Sequence, residues 1–171
     1  VYRTGTDSEL MQSLIRAAQN GKEGTVVVEL MARFDEEANI GWATKLEEVG
    51  AHVVYGVVGY KVHAKALLIV RREAGQLRKY AHLGTGNYHP KTARLYSDFG
   101  LLTANPEITH DVSEVFKQLT GLGKARTLTH LWQAPFTLHS NIMARIRADT
   151  EAARAGGKAR IIAKMNSLQE P

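Results

Sequence analysis

The segment KVHAKALLIVRREAGQLRKYAHLGTGNYHPKTARLYSD, residues 61–98, decides how this chain is organised. It opens with His63 and Lys65, which lie two positions apart at the head of the apolar run 66–70. Side chains two positions apart on a strand point to the same face. We therefore predict that the imidazole and the ammonium project together from one strand.

A hairpin is predicted to bring the second half of this segment back to the first. The dipeptide Ala74-Gly75 indicates a turn, and a return strand at 80–83 ends in the glycine-rich turn Gly84–Asn87. The antiparallel return places Asn87 near His63. A nucleophile or base, a fixed cation and an amide donor then converge beside the backbone amides of the turn.

This set of groups suits phosphoryl chemistry. An uncharged imidazole can attack phosphorus and carry the phosphoryl group covalently. Lys65 can offset charge on the transferring group, and the Asn87 amide can donate to its oxygens. A His-x-Lys pair occurs by chance in many proteins, so the hypothesis depends on the glycine turn and on Asn87 as well.

Two short motifs resemble half of a phospholipase D superfamily site. They are His63-Ala64-Lys65 and Gly84-Thr85-Gly86-Asn87. The superfamily pattern has an aspartate five residues after the lysine, and this chain has Val70 there. The resemblance to the lipid hydrolases is therefore incomplete.

Longer motifs resemble bacterial polyphosphate kinase of the first type, in chain order and over nearly the whole chain. They are Tyr2-Arg3 and the runs 28–30, 32–39, 62–65, 82–88 and 91–98. The resemblance fits the first of that enzyme's two catalytic C-terminal domains. It implies a phospholipase D-like α/β fold, with a mixed β-sheet flanked by α-helices.

The same resemblance implies an ATP:polyphosphate phosphotransferase. The γ-phosphate of ATP would pass reversibly to inorganic polyphosphate through a phosphohistidine on His63. Arg3 and Arg33 match a magnesium-phosphate site, and Tyr96 matches a nucleotide contact. Because arginine has no acceptor atom, we expect Arg3 and Arg33 to bind phosphate beside Mg²⁺ instead of ligating the ion.

Several side chains near the motifs keep two interpretations. Arg33 can form an ordinary surface ion pair with Glu36 or Glu37 instead of binding phosphate. His82 lies in the return strand, where it can support His63 or serve a structural role.

Two acids and one aromatic residue are also ambiguous. Asp98 and Glu29 are the acids nearest to the motifs, and either can hold His63 in one tautomer. Tyr96 is more often a core residue than a ligand contact when it lies in a strand. No histidine or acid spacing predicts a zinc site.

The rest of the chain alternates strand and helix, which predicts a parallel sheet in the first sixty residues. Further helices are predicted from Asp7, Asp35, Asn105 and Ser140. Strands are predicted at 1–3, 25–30, 52–58, 95–103 and 160–163. The apolar face of the second helix is predicted to consist of Ile40, Ala43, Leu46 and Val49.

Composition limits the classes of function. The 171 residues carry a net charge of +5 with a pI of about 9.5, which favours an anionic partner. Charge alone admits nucleic acid, nucleotide and polyphosphate; the resemblance favours ATP or ADP and polyphosphate, with no nucleic acid. There is no cysteine for a disulfide or a thiolate metal site, and no apolar run approaches the about 20 residues that span a bilayer. We expect a cytoplasmic location; a homo-oligomer stays open.

The chain is expected to be a single domain, 1–171, cut from a longer protein. Phospholipase D-like sites use two histidine motifs, one attacking and the other serving as acid or base. Only one such motif is present, so further domains are expected to supply the second, and the chain alone is expected to fold without turnover. The alternatives are a phospholipase D-like phosphodiesterase and a non-catalytic polyanion-binding module.

Overall fold

The structure, a computed structural model, describes residues 1–121, 127–165 and 167. They fall into two compact units, Val1–Thr127 and Leu128–Pro171, and a single domain over the whole chain stays a prediction. The elements in chain order are α1 (Glu9–Gln19), β1 (Thr25–Val28), α2 (Glu36–Glu48), β2 (His52–Tyr55), β3 (Lys65–Glu73), β4 (Gln76–Gly84), a 3-10 turn (Thr92–Arg94), β5 (Gly100–Thr103), α3 (Pro106–Leu119) and α4 (Leu138–Arg154).

The predicted α/β architecture is confirmed, with both parallel and antiparallel pairing. β1 and β2 form a parallel pair, in which Thr25 lies opposite His52. β3, β4 and β5 form an antiparallel sheet in that order. Among the described residues, no helix is long and apolar enough to cross a bilayer.

The parallel pair and the first two helices enclose the main core. The three valines of β1 are all buried, as expected for an apolar run covered on both faces. The extended segment Val1–Arg3 runs beside β1 without forming a regular strand, and the amide of Glu29 donates to the carbonyl of Val1 at 2.9 Å. The core cluster consists of Met11, Val26, Val28, Trp42, Ala43, Leu46 and Ala51.

The inner face of α2 differs from the predicted one. Its buried residues follow i, i+3, i+4 and i+7 spacing and are Asn39, Trp42, Ala43 and Leu46. The prediction was wrong for Ile40, which is 54% exposed. The polar Asn39 lies in the inner stripe because its amide nitrogen donates to the carbonyls of Tyr2 at 2.8 Å and Glu29 at 2.9 Å.

The predicted hairpin is present. Ala74 and Gly75 have φ of 48° and 80°, which is the conformation of a two-residue turn whose twist matches the flanking strands. The register places Lys65 opposite Gly84. The prediction that His63 lies on the strand was wrong, because β3 begins at Lys65. β4 is longer than predicted and begins at Gln76.

The predicted strand 95–103 is shorter than expected. Only Gly100–Thr103 pairs with β4. His89 Nδ1 accepts the amides of Lys91 at 3.2 Å and Thr92 at 3.3 Å, which bends the chain into the 3-10 turn. Tyr96 consequently lies in irregular chain and not in a strand.

Two further helices agree with the prediction, and one predicted strand does not. Asn105 caps α3 by accepting the amides of Glu107 at 2.9 Å and Ile108 at 3.1 Å. α4 begins two residues before the predicted Ser140. The predicted strand 160–163 is wrong: these residues are exposed and have no partner strand in the described part of their unit.

Candidate functional site

His63 and Lys65 form the centre of the candidate site. The Nζ of Lys65 lies 3.1 Å from Nδ1 and 3.2 Å from Nε2 of His63, so the ammonium is almost equally close to both ring nitrogens. Two positive charges at this distance would repel each other. The contact therefore favours the neutral form of His63.

The surroundings favour that neutral form. Partial burial lowers the pKa of His63 below its ordinary 6.5, and the positive charges of Lys65, Arg3 and Lys61 lower it further. An uncharged imidazole is the form that can act as a nucleophile at neutral pH.

Lys65 is itself a buried cation with a perturbed pKa. Its side chain is 7% exposed, and burial followed by the charge of Arg3 lowers its pKa from 10.5 to about 8. The carboxylate of Asp98 raises the pKa and partly offsets this effect. Lys65 thus stays charged at pH 7 but lies close to its titration range.

Tyr2 packs against both reactive side chains, although sequence reasoning gave it no role. The ring of His63 meets the Tyr2 ring edge-on, with centroids 4.5 Å apart. Lys65 Nζ lies 5.6 Å from the Tyr2 centroid, within the range of a cation–π contact. The sequence offered one signal for this role of Tyr2, which is an aromatic residue directly before the predicted phosphate-binding residue Arg3.

Arg3 and Arg33 come together although 30 residues separate them in sequence. The guanidinium of Arg3 donates through Nε at 3.2 Å and through Nη2 at 3.0 Å to the main-chain carbonyl of Arg33. Only the main-chain carbonyl of Arg33 takes part in these two bonds, so they do not involve its side chain. The Arg3 guanidinium therefore lies against the main chain of Arg33 and 5.2 Å from the ring centroid of Tyr2.

The competing ion-pair interpretation of Arg33 finds no support. Within residues 1–121, no salt bridge joins Arg33 to Glu36 or Glu37. The Arg33 guanidinium instead lies 5.0 Å from the ring centroid of Phe34. Its charge is thus left available for an anion.

Neither candidate acid contacts His63 in the described residues. Glu29 accepts the amides of Met31 at 3.0 Å and Val62 at 2.9 Å, so it holds the backbone immediately before His63. Asp98 accepts the hydroxyl of Thr85 at 3.0 Å. Within residues 1–121, no hydrogen bond joins either carboxylate to His63, so the expectation that one of them fixes the His63 tautomer gains no support.

The Gly84–Asn87 turn is pressed against Asp98. A Cβ on Gly86 would clash with the carboxylate of Asp98, so the glycine lets the turn approach this side chain closely. The carboxamide oxygen of Asn87 is buried and accepts no hydrogen bond in the described part of the chain. Such an atom costs about 1–3 kcal/mol when left unpaired, which suits a group kept for a ligand.

His82 and Tyr96 are held very differently. The Nδ1 of His82 lies 2.8 Å from the hydroxyl of Tyr88, and a Cβ on Gly84 or Gly100 would meet the imidazole at 3.0 Å. This is a packed position that shapes the turn and shows no contact with His63. Tyr96 is 57% exposed, so its ring is accessible to a ligand. Support of His63 by His82 and contact of Tyr96 with the nucleotide stay predictions.

The site fits Mg²⁺ only if phosphate and water supply most of the ligands. In residues 1–121, 127–165 and 167, no group of three acids or histidines can hold a metal ion. Mg²⁺ prefers oxygen ligands and commonly keeps several waters. The unpaired Oδ1 of Asn87 is an oxygen of that kind, while Arg3 and Arg33 can hold only the phosphates.

Residues 1–125 match the family model described as "Polyphosphate kinase C-terminal domain 1". Proteins named polyphosphate kinase from Burkholderia vietnamiensis and Paraburkholderia phytofirmans are 67% and 65% identical, over all of this chain and 26% of each relative. The chain thus spans about a quarter of the length of these relatives.

A solved structure gives the same result. The crystal structure of polyphosphate kinase from Porphyromonas gingivalis matches with a TM-score of 0.77 and 39% sequence identity. The match covers 91% of this chain and 26% of that one. With the family model covering most of the sequence, the chain belongs to the polyphosphate kinase family, and its residues 1–125 correspond to that family's C-terminal domain 1.

Proposed function

We propose that this chain is a phosphohistidine-forming domain of an ATP:polyphosphate phosphotransferase. The observation that supports it is the pairing of His63, kept neutral, with the ammonium of Lys65 at 3.1 Å. That pairing combines a nucleophile with a charge that can stabilise a transferring phosphoryl group.

The proposed reaction has two phosphoryl transfers. A nitrogen of His63 forms a bond to the γ-phosphorus of ATP while the bond to the β,γ-bridging oxygen breaks and ADP leaves. A terminal oxygen of polyphosphate then attacks the phosphohistidine, which breaks the N–P bond and lengthens the polymer by one phosphate. Both steps can run in reverse.

Lys65 has a specific task in the first transfer. Without a ligand, its ammonium lies against both nitrogens of the imidazole. An arriving phosphate offers stronger, negatively charged acceptors. Movement of the Lys65 ammonium from the imidazole to phosphate oxygens would leave a His63 nitrogen open for attack and neutralise charge on the group that it attacks.

Arg3, Arg33 and Asn87 are proposed to hold the phosphates. Arg33 has a side chain that no carboxylate engages within residues 1–121, and Arg3 keeps donors beyond the two bound to the Arg33 carbonyl. When bound, Mg²⁺ would offset charge on the β- and γ-phosphate oxygens. Tyr96 is proposed to contact the nucleotide from its exposed loop.

The leaving group needs a proton donor that His63 cannot be. In residues 1–121, the ring and hydrogen-bond contacts of His63 are with Tyr2 and Lys65, and none joins it to another histidine. We propose that a second histidine, from a part of the longer enzyme outside this chain, serves as the acid or base. The 171-residue chain alone is then expected to make no polyphosphate.

The test uses the full-length enzyme with γ-labelled ATP and Mg²⁺. We expect acid-labile, base-stable label on His63, chased into polyphosphate and absent from His63→Ala. His110→Ala, which removes an exposed histidine of α3, is the matched control and should keep the label. Label that persists in His63→Ala would refute the mechanism.

The same experiment separates the alternatives. Hydrolysis of a phosphodiester, with no label passed to polyphosphate, would support the phosphodiesterase. Val70 disfavours that outcome, since it occupies the motif aspartate position and is half exposed on β3. Tight polyphosphate binding without any label would support the non-catalytic module.

A further inference from the structure

Phe34 is the most unusual residue of the turn after β1. Its side chain is 83% exposed, and its φ is 72°. The left-handed region is unfavourable for a bulky residue, and glycine or asparagine adopts it far more readily. An exposed aromatic residue in a strained conformation brings no burial energy to the fold, which makes it a candidate for function.

Neighbouring groups on both sides hold Phe34 in this conformation. The carbonyl of Arg33, just before it, accepts two hydrogen bonds from the Arg3 guanidinium. Asp35, just after it, donates its amide to the carbonyl of the fully buried Ala32 at 2.9 Å. The turn is therefore closed across Phe34, and its ring is directed outward by well-anchored neighbours.

The carboxylate of Asp35 adds a second anchor. Its Oδ2 accepts the amides of Thr4 at 3.0 Å and Gly5 at 3.1 Å, so it joins the turn to the segment that carries Arg3. Asp35 lies at the N-cap of α2 but makes no side-chain cap hydrogen bond there. Its side chain serves the turn instead of the helix.

The ring of Phe34 lies beside the proposed phosphate site. The Arg33 guanidinium lies 5.0 Å from the ring centroid, and most of the remaining ring surface is open. A continuous path of contacts leads from His63 to Tyr2, one residue along to Arg3, and from there to the carbonyl of Arg33. Phe34 thus follows directly after a residue proposed to bind phosphate, at the end of this path of contacts.

We propose that Phe34 stacks on the base of the nucleotide. The inference rests on the proposed function: if Arg33 holds the phosphates of ATP, the base extends away from His63 towards the next available aromatic surface. A nucleobase has a flat π-face that stacks on aromatic rings, largely without sequence preference. Phe34 would then distinguish a nucleotide from a bare chain of phosphates, which offers nothing to stack.

The experiment compares two ligands on the full-length enzyme. Equilibrium dissociation constants are measured in the presence of Mg²⁺ for a non-hydrolysable ATP analogue and for inorganic tripolyphosphate. In Phe34→Ala, we expect the affinity for the analogue to fall about tenfold, since loss of one stacked aromatic ring has roughly that effect. The affinity for tripolyphosphate should change by less than about twofold, because no base is present to stack.

Three further variants separate stacking from the strain of the turn. Phe34→Trp should keep or raise the affinity for the analogue. Asparagine adopts the left-handed backbone readily but has no aromatic ring. Phe34→Asn should therefore lower the affinity for the analogue as much as Phe34→Ala does. Met31→Ala removes an exposed apolar side chain that is 71% accessible in the same turn, and it should change neither constant.

Each remaining outcome counts against the proposal in a defined way. Unchanged analogue affinity in Phe34→Ala would overturn the stacking role. Equal losses for the analogue and tripolyphosphate would also overturn it, since Phe34 would then support the phosphate site through the turn. Measurement of these binding constants requires no phosphoryl transfer. Failure of His63 labelling would therefore refute the proposed function, while the binding constants would still test the stacking role of Phe34.

Discussion

The two halves of the unit Val1–Thr127 bury their side chains very differently. The parallel half packs β1 and β2 against α1 and α2 around an apolar core. Across the described strands β3, β4 and β5, only Lys65 and Ala81 are buried. Leu102 on that sheet is 81% exposed, whereas Leu46 in the parallel half is fully buried.

This difference separates stability from chemistry. The parallel half supplies the apolar burial that stabilises the fold, about 25 cal/mol for each Å² removed from water. The antiparallel half buries a cation, Lys65, and carries the glycine turn. His63 lies between them, held by Tyr2 on one side and by Glu29 through the amide of Val62. Changes in the apolar core of the first half should therefore affect stability, and changes at Lys65 in the second should affect the proposed phosphoryl transfer.

The largest effect is expected from Leu46→Ala. Removal of this buried side chain should lower the free energy of unfolding by about 2–5 kcal/mol, because it leaves a cavity in the core. Leu102→Ala is the matched control and should change it by less than about 0.5 kcal/mol. Urea titration followed by the fluorescence of the buried Trp42 measures both. Equal losses of unfolding free energy in the two variants would mean that the two halves contribute alike to stability.

Lys65→Met is expected to slow phosphoryl transfer without lowering stability, which is the reverse of the effect of Leu46→Ala. Loss of a charge aimed at the transferring phosphoryl group should slow phosphohistidine formation about 10²–10³-fold in the full-length enzyme. Stability should hold or rise slightly, because an apolar side chain replaces a buried cation. Single-turnover labelling and urea titration provide the two readouts. A large loss of stability with normal labelling would contradict this assignment.

Arg33→Ala should weaken nucleotide binding by about tenfold or somewhat more, since a charge-assisted hydrogen bond to phosphate is lost. The affinity should also become less sensitive to salt. Arg72→Ala, which removes an exposed arginine of β3, controls for the change in net charge. Titrations at low and high ionic strength test the prediction. Unchanged affinity at both would return Arg33 to a surface role.

The smallest effect concerns pH. In the proposed mechanism His63 acts in its neutral form, and its pKa lies below 6.5, so kcat/KM should fall only as the pH drops below that value. Lys65 is proposed to act in its charged form, so the rate should also fall as the pH rises through about 8.

Asp98→Asn sharpens this test. The Asp98 carboxylate raises the pKa of Lys65, so its removal should move the basic limb to lower pH and leave the acid limb in place. Asp7→Asn removes another exposed carboxylate and should shift neither limb. A shift of the acid limb instead would mean that Asp98 acts on His63.

Local sequence signals predicted several elements correctly, because their causes lie within a few residues. The β-branched run of β1 forms a buried parallel strand, and Asn105 with Pro106 begins α3. Ala74-Gly75 closes the hairpin. The inner face of α2 was predicted only in part: Ala43 and Leu46 are buried, but the polar Asn39 was not expected in the buried stripe and Ile40 lies outside it.

The sequence by itself determined the alternation of strands and helices, the hairpin, and the presence of His63, Lys65 and Asn87 in one segment. Period and turn chemistry are local properties, so they can be read from the chain. Only the tertiary structure decided which groups meet. The bonds from Arg3 to the Arg33 carbonyl and from the Val62 amide to Glu29 join positions 30 and 33 residues apart. The lowered pKa values of His63 and Lys65 arise from burial and neighbouring charge, which exist only after the chain has folded.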